Sequence, residues 1–244
     1  WFTSGENPFF ARNLANRTWA HFMGPGIVEP VDDVRLTNPP SNPALLDGLA
    51  EDLVRHGFDF HQLIRTITSS AAYQRSSSVN ETNARDEQNY SRYLFKQLEA
   101  EVFMDAISQT TGIEEKFDGV PEGSRAIQLW DSQVPHYMLK LFGRPSRVTA
   151  CDCERISEPT VGQVLHVLNS PVIHRKISHA GGQVAEILAS YPENDHLVDE
   201  LYLTFFARFP DSNEKKNGVE YINSQPDRRH AAEDLSWSMM NSLE

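Results

Sequence analysis

Residues 7–26, Asn-Pro-Phe-Phe-Ala-Arg-Asn-Leu-Ala-Asn-Arg-Thr-Trp-Ala-His-Phe-Met-Gly-Pro-Gly, hold the pattern from which the fold is read. Asn7 is a capping residue, and Pro8 suits the first helical position, where a missing N–H costs nothing. An uninterrupted run over 9–23 follows, and Gly24-Pro25-Gly26 ends it. The same punctuation recurs downstream. Asn42-Pro43 opens a second helix, in which Leu45, Leu46, Leu49 and Leu53 repeat at helical spacing before Gly57. A third helix is predicted over 60–73, burying Leu63, Ile64 and Ile67. A fourth is predicted over 96–110, with Leu98, Val102, Phe103, Ala106 and Ile107 on one stripe and Gly112 after it.

The middle of the chain breaks this rhythm. Residues 114–130 contain Gly119, Pro121 and Gly123 and read as a long loop with a short strand at 126–129. Residues 133–142 read as a short helix. Helical grammar then resumes. Thr160-x-x-Gln163 is a capping box ahead of Val161, Val164, Leu165 and Leu168, and Ser170-Pro171 restarts the chain. Further helices are predicted over 183–190 and 196–207, the latter with Leu197, Val198, Leu201, Tyr202 and Phe205 as its core stripe. Asp211-x-x-Glu214 is a second capping box. The last helix begins at about 228 and turns Leu235 and Met239 inward. No segment sustains strand alternation. The expected fold is an all-α, multi-helix globular domain with a long irregular central loop region. It covers 1–244, with two helical lobes at about 1–112 and 158–244 joined by 113–157.

Composition bounds the function. The chain has 244 residues, 22 Lys+Arg against 34 Asp+Glu, and a formal net charge of -12. With 39% apolar residues it can build a core and is not a disordered chain. Its two cysteines cannot make a disulfide scaffold. The acidic balance argues against binding nucleic-acid phosphate or anionic membranes, and no apolar run is long enough for a membrane span. The sequence starts at Trp1 without a leader pattern and stops at Glu244 inside a helical pattern. The expectation is a piece of a larger protein whose C-terminal edge is missing.

Many short motifs in fixed order resemble one family. They are Asn7-Pro8-Phe9-Phe10-Ala11-Arg12, Asn16-Arg17-x-Trp19, Asp32-Asp33-x-Arg35, Asn38-Pro39-Pro40 and Leu45-Leu46-Asp47. Ser70-x-x-Tyr73-Gln74, Ala100-Glu101, Asp105-Ala106 and Phe142-Gly143-Arg144-Pro145 continue the series. Cys151-x-Cys153-Glu154-Arg155, Leu168-Asn169 and Asn241-Ser242-x-Glu244 complete it. Together they resemble the planctomycete PSD domain, a domain of unknown function. The resemblance implies a C-terminal domain of a large exported bacterial protein that also carries cytochrome-c-like domains. It thereby implies an extracytoplasmic location and partners within the parent chain. It implies no reaction. Where the family has a basic residue between two glycines, this chain has Pro25, so any role of that residue is absent here.

The residues themselves offer several candidate sites. Cys151 and Cys153, beside Glu154 and Arg155, suit a soft metal, a small-ring disulfide, a redox pair or buried free thiols. His166 and His174 are the nearest further ligands, although their spacing fits no zinc template. No C-x-x-C-H haem motif occurs, and no cofactor is expected. Asp32, Asp33 and Arg35 either hold a cation or act as acid and base, or else pair with one another and with backbone groups. Arg12, Asn16, Arg17 and Trp19 either line a carbohydrate or carboxylate pocket or form a network pinning the loop at 32–35 to the first helix. Glu101 and Asp105 share a helix face at i, i+4, as glycosidase carboxylates or as partners of Arg144, Arg147 or Arg155. Arg144 and Asn169 complete the candidate set.

Two functions follow. One is a binding or scaffolding module that works with cytochrome-c-like domains. The other is a redox or carbohydrate-related enzyme module built from residues 151–155, the first helix and the loop at 32–35, with a carbohydrate or small ligand as partner.

Overall fold

The computed structural model describes residues 4, 7, 9–130, 134–145 and 160–242. Among them are eleven α-helices, a short 3-10 turn and no strand, so the chain is all-α. It divides into two compact units, Trp1–Lys96 and Gln97–Glu244. No helix among the described residues is long and apolar enough to cross a membrane.

The first unit holds α1 (Phe10–Met23), α2 (Pro43–Arg55) and α3 (Phe60–Thr68). Ala11, Ala15 and Trp19 recur every fourth residue on the buried face of α1. They meet Leu46, Leu53, Leu63 and Ile67 in one core. Helix α2 starts as its sequence predicts: Asn42 Oδ1 accepts from the Leu45 N–H at 3.1 Å and Pro43 occupies the first position. Helix α3 is capped by Asp59, which accepts from the Gln62 N–H at 3.1 Å. It ends at Thr68 rather than running to 73.

The second unit begins before α4 (Ala100–Thr111) and continues through α5 (Tyr137–Leu141), α6 (Val161–Asn169) and α7 (Pro171–Ile177). Helices α8 (Gln183–Ser190), α9 (Asn194–Phe206), α10 (Ser212–Ser224) and α11 (Arg228–Met240) complete it. Both capping boxes form. Thr160 Oγ1 accepts from the Gln163 N–H at 3.3 Å while Gln163 Oε1 accepts from the Thr160 N–H at 2.9 Å. Asp211 and Glu214 exchange the equivalent bonds at 2.8 and 2.7 Å. Leu197, Val198 and Leu201 of α9 centre one core, and Gly218 of α10 lets the two helices close, since a Cβ there would lie 3.1 Å from the Val198 methyls.

Two expectations for the second unit are corrected. The segment at 126–129 is not a strand but the 3-10 turn Ala126–Gln128. Its first two N–H groups, on Ala126 and Ile127, donate to the Asp105 carboxylate at 2.7 and 3.2 Å, so a side chain supplies what a neighbouring strand would have supplied. On α4 the predicted stripe is met in part: Ile107 is buried and Phe103 packs against two cores, whereas Leu98 and Val102 are exposed and Ala100, Glu101, Met104 and Asp105 take buried positions. On α6 the exposed apolar residues are more marked. Gln163 is its one buried residue, while Val161, Val164 and Leu165 are 75%, 54% and 53% exposed.

Candidate functional site

In the first unit the candidate residues form a clamp. The Asn16 side chain is buried and faces the loop that follows α1. Its amide nitrogen donates to the carbonyls of Val28 and Val31 at 3.0 and 3.1 Å, and its oxygen accepts from the Val28 N–H at 2.9 Å. A buried amide satisfied at every turn fixes the loop as a strand partner would. Gly26 permits this approach, because a Cβ would stand 2.4 Å from the Val28 carbonyl oxygen. Glu29 closes the turn by accepting from the Gly26 N–H at 2.8 Å.

The charged groups around the clamp pair with one another. Arg17 binds Asp32. Arg35 grips Asp33 with two nitrogens, each 2.7 Å from a carboxylate oxygen. Arg12 ties α1 to α2 through Asp47 at 3.0 Å. Asn38 donates to the carbonyls of Glu29 and Asp33 at 3.1 and 3.0 Å. Trp19 lies in the core, edge-on to Tyr90 with ring centroids 5.0 Å apart. Every member named here is engaged inside its own unit.

In the second unit Glu101 faces Arg144 at 3.6 Å, both side chains buried. Asp105 serves the 3-10 turn and lies 3.4 Å from Arg125. Asn169 caps the end of its own helix, donating to the Leu165 carbonyl at 3.0 Å. His174 stacks on Trp237 with centroids 6.1 Å apart, and His166 packs edge-on against Tyr137 at 5.4 Å. Cys151, Cys153, Glu154 and Arg155 lie outside the described residues. Among the described residues no group of three or more His, Cys, Asp or Glu could hold a metal ion.

The structure adds a polar cluster that sequence reasoning missed. Lys176 is buried, donates to the Ile113 carbonyl at 2.7 Å and stands 3.1 Å from Glu115. The other Glu115 oxygen is 3.7 Å from His136 Nε2. His136 and Lys176 hold the Glu115 carboxyl down at about 2, well below its ordinary 4.5. Burial and the nearby His136 push the His166 imidazole down, favouring its neutral form. These groups line a cavity of about 180 Å³, whose remaining wall includes Met104, Ile107, Met138, Val172 and Ile173. Glu115, His136 and Lys176 are distant in sequence and belong to no motif, so only the fold could unite them.

Beside this cavity stands α6. Its buried residue, Gln163, donates to the Leu141 carbonyl at 3.0 Å and accepts from the Gln97 amide at 3.2 Å. Val167, one turn further on, packs against two of the cores, while Val161, Val164 and Leu165 are exposed.

The family model described as PSD1, protein of unknown function (DUF1553), matches residues 1–222. Neither the comparison with curated proteins nor that with solved structures returned a match.

Proposed function

The chain belongs to the PSD1 family of unknown function, and from that premise we propose that it is a docking module of a larger exported bacterial protein. It holds the cytochrome-c-like domains of its parent chain rather than carrying a reaction of its own. The observation behind this reading is the inverted helix α6, with Gln163 inside and Val161, Val164 and Leu165 outside. Covering the exposed part of such side chains favours association at about 25 cal/mol per Å² of apolar surface removed from water. The extracytoplasmic location and the partners come from the family resemblance.

The redox or carbohydrate alternative needs residues 151–155, which lie outside the described residues, together with the pairs of Arg17 with Asp32 and Arg35 with Asp33. The test is association between this segment and the remainder of the full-length protein, measured by titration calorimetry. Val164→Asp with Leu165→Asp is expected to weaken it at least about tenfold while the melting temperature stays unchanged. Unaltered affinity would remove the reading.

A further inference from the structure

We infer that the surface made by α5, α6 and α7 receives an acidic amphipathic helix, one of whose apolar side chains seats in the cavity beside His166. This deepens the docking reading and rests on it. Three observations carry it.

The first is shape. Val161, Val164 and Leu165 lie at i, i+3 and i+4, the spacing at which one helix presents a ridge to another. Tyr137 and Val172, also exposed, line the cavity next to them. The second is size. At about 180 Å³ the cavity suits one Leu, Met or Phe side chain, and it falls below the range of about 300–1,000 Å³ typical of small-molecule sites. Its walls of Met104, Ile107, Met138 and Ile173 suit an apolar anchor, and such buried anchors dominate interface energies.

The third is charge. Helices α5, α6 and α7 carry Lys140, Arg175 and Lys176 and no carboxylate, within a chain of net charge -12. Arg144 and Lys176 are buried against Glu101 and Glu115. Lys140 and Arg175 are exposed. Each sits three residues, one helical turn, beyond an exposed apolar residue of the surface, Tyr137 on α5 and Val172 on α7. Cations flanking an apolar strip in an otherwise acidic molecule select a partner with carboxylates beside its apolar face.

The experiment uses two synthetic helical peptides of about 18 residues. They share leucines at i, i+3, i+4 and i+7 and differ only in having Glu or Lys elsewhere. Binding to the chain is read by fluorescence anisotropy. The Glu peptide is expected to bind at least about tenfold tighter than the Lys peptide, with the gap shrinking as salt rises above about 0.15 M. Val172→Trp, which fills the cavity mouth and leaves Val161, Val164 and Leu165 unchanged, is expected to weaken the Glu peptide about tenfold. Lys140→Glu with Arg175→Glu is expected to reverse the preference.

Equal binding of the two peptides, or binding by neither, overturns the inference. So does a dimer in sedimentation that Val164→Asp with Leu165→Asp dissolves, because the occupant is then a second copy. The calorimetric test above separates the two claims. If the α6 variant abolishes association with the rest of the protein but the peptides show no preference, only the acidic-helix inference falls. If that variant leaves association intact, the docking reading itself falls.

Discussion

Helices α1 and α6 are each pinned by a buried carboxamide, Asn16 in one and Gln163 in the other, yet they dispose of their apolar residues in opposite ways. On α1 the amide works beside Ala11, Ala15 and Trp19, which are also buried, so polar and apolar faces agree on one orientation. On α6 the amide is joined inward only by the partly buried Val167, and Val161, Val164 and Leu165, which ordinary amphipathic logic would bury, are exposed. A helix whose polar and apolar anchors agree is explained by its core. The docking reading proposed above rests on the other helix, where Val161, Val164 and Leu165 are exposed.

The comparison breaks first on the core side. Trp19→Ala removes a side chain only 2% exposed at the centre of the first unit, and is expected to cost about 3–5 kcal/mol in urea unfolding. Next comes Asn16→Ala, which strands the Val28 N–H and the carbonyls of Val28 and Val31. A loss of about 2–3 kcal/mol is expected, and Asn16→Asp should not restore it, because a carboxylate cannot donate to those carbonyls. The equivalent change on α6, Gln163→Ala, is expected to cost about 1–2 kcal/mol and to raise hydrogen exchange in α6 before any other helix, since that amide is the residue that orients it. If Gln163→Ala proved as costly as Trp19→Ala, the contrast between the two helices would be lost.

How much of this could be read from sequence follows the range of each interaction. Caps and boxes act within four residues, so Asn42, Thr160 with Gln163, and Asp211 with Glu214 were found from spacing alone. Faces were harder. A pattern reading assigns the inward side of a helix to its apolar residues. On α4 it found Ile107 and Phe103 but missed Glu101 and Asp105, which have buried partners far along the chain. On α6 the pattern gives no hint of Gln163 as a buried residue, since its bonds go to Leu141 and Gln97. The clamp around Asn16 was anticipated as one of two readings of the first helix, and Arg17 and Asp32 do meet there. The set of Glu115, His136 and Lys176 left no trace in the sequence, because residues joined only by tertiary packing share no period.

Both units hold carboxylates whose acidity the fold changes. In the first, hydrogen bonds from Ser91, Asn89 and Gln88 hold the Asp86 carboxyl well below its ordinary 3.8; in the second, His136 and Lys176 hold Glu115 at about 2 against an ordinary 4.5, and Arg208 lowers Glu214 likewise. Glu115 binds fewer protons folded than unfolded, so its contribution is complete above about pH 4.5 and is lost as the pH falls from there towards 2. Glu115→Gln is expected to remove about 1–2 kcal/mol of stability at neutral pH, discounting for solvent screening, and to flatten the acid limb of the second unit's unfolding curve. An acid limb that stays as steep in that variant would assign the sensitivity elsewhere.

The smallest stability effect is the most telling. Leu165→Ser changes a side chain that is 53% exposed and belongs to none of the three cores, so unfolding free energy is expected to move by less than about 0.5 kcal/mol. A residue of a hidden core could not behave this way, for burying a leucine is worth about 1.5–3 kcal/mol. If denaturation of the isolated chain shows a loss of that larger size, α6 is already covered within the fold and offers no docking face. If stability holds while association with the rest of the protein weakens, that leucine's apolar surface contributes to binding and not to folding.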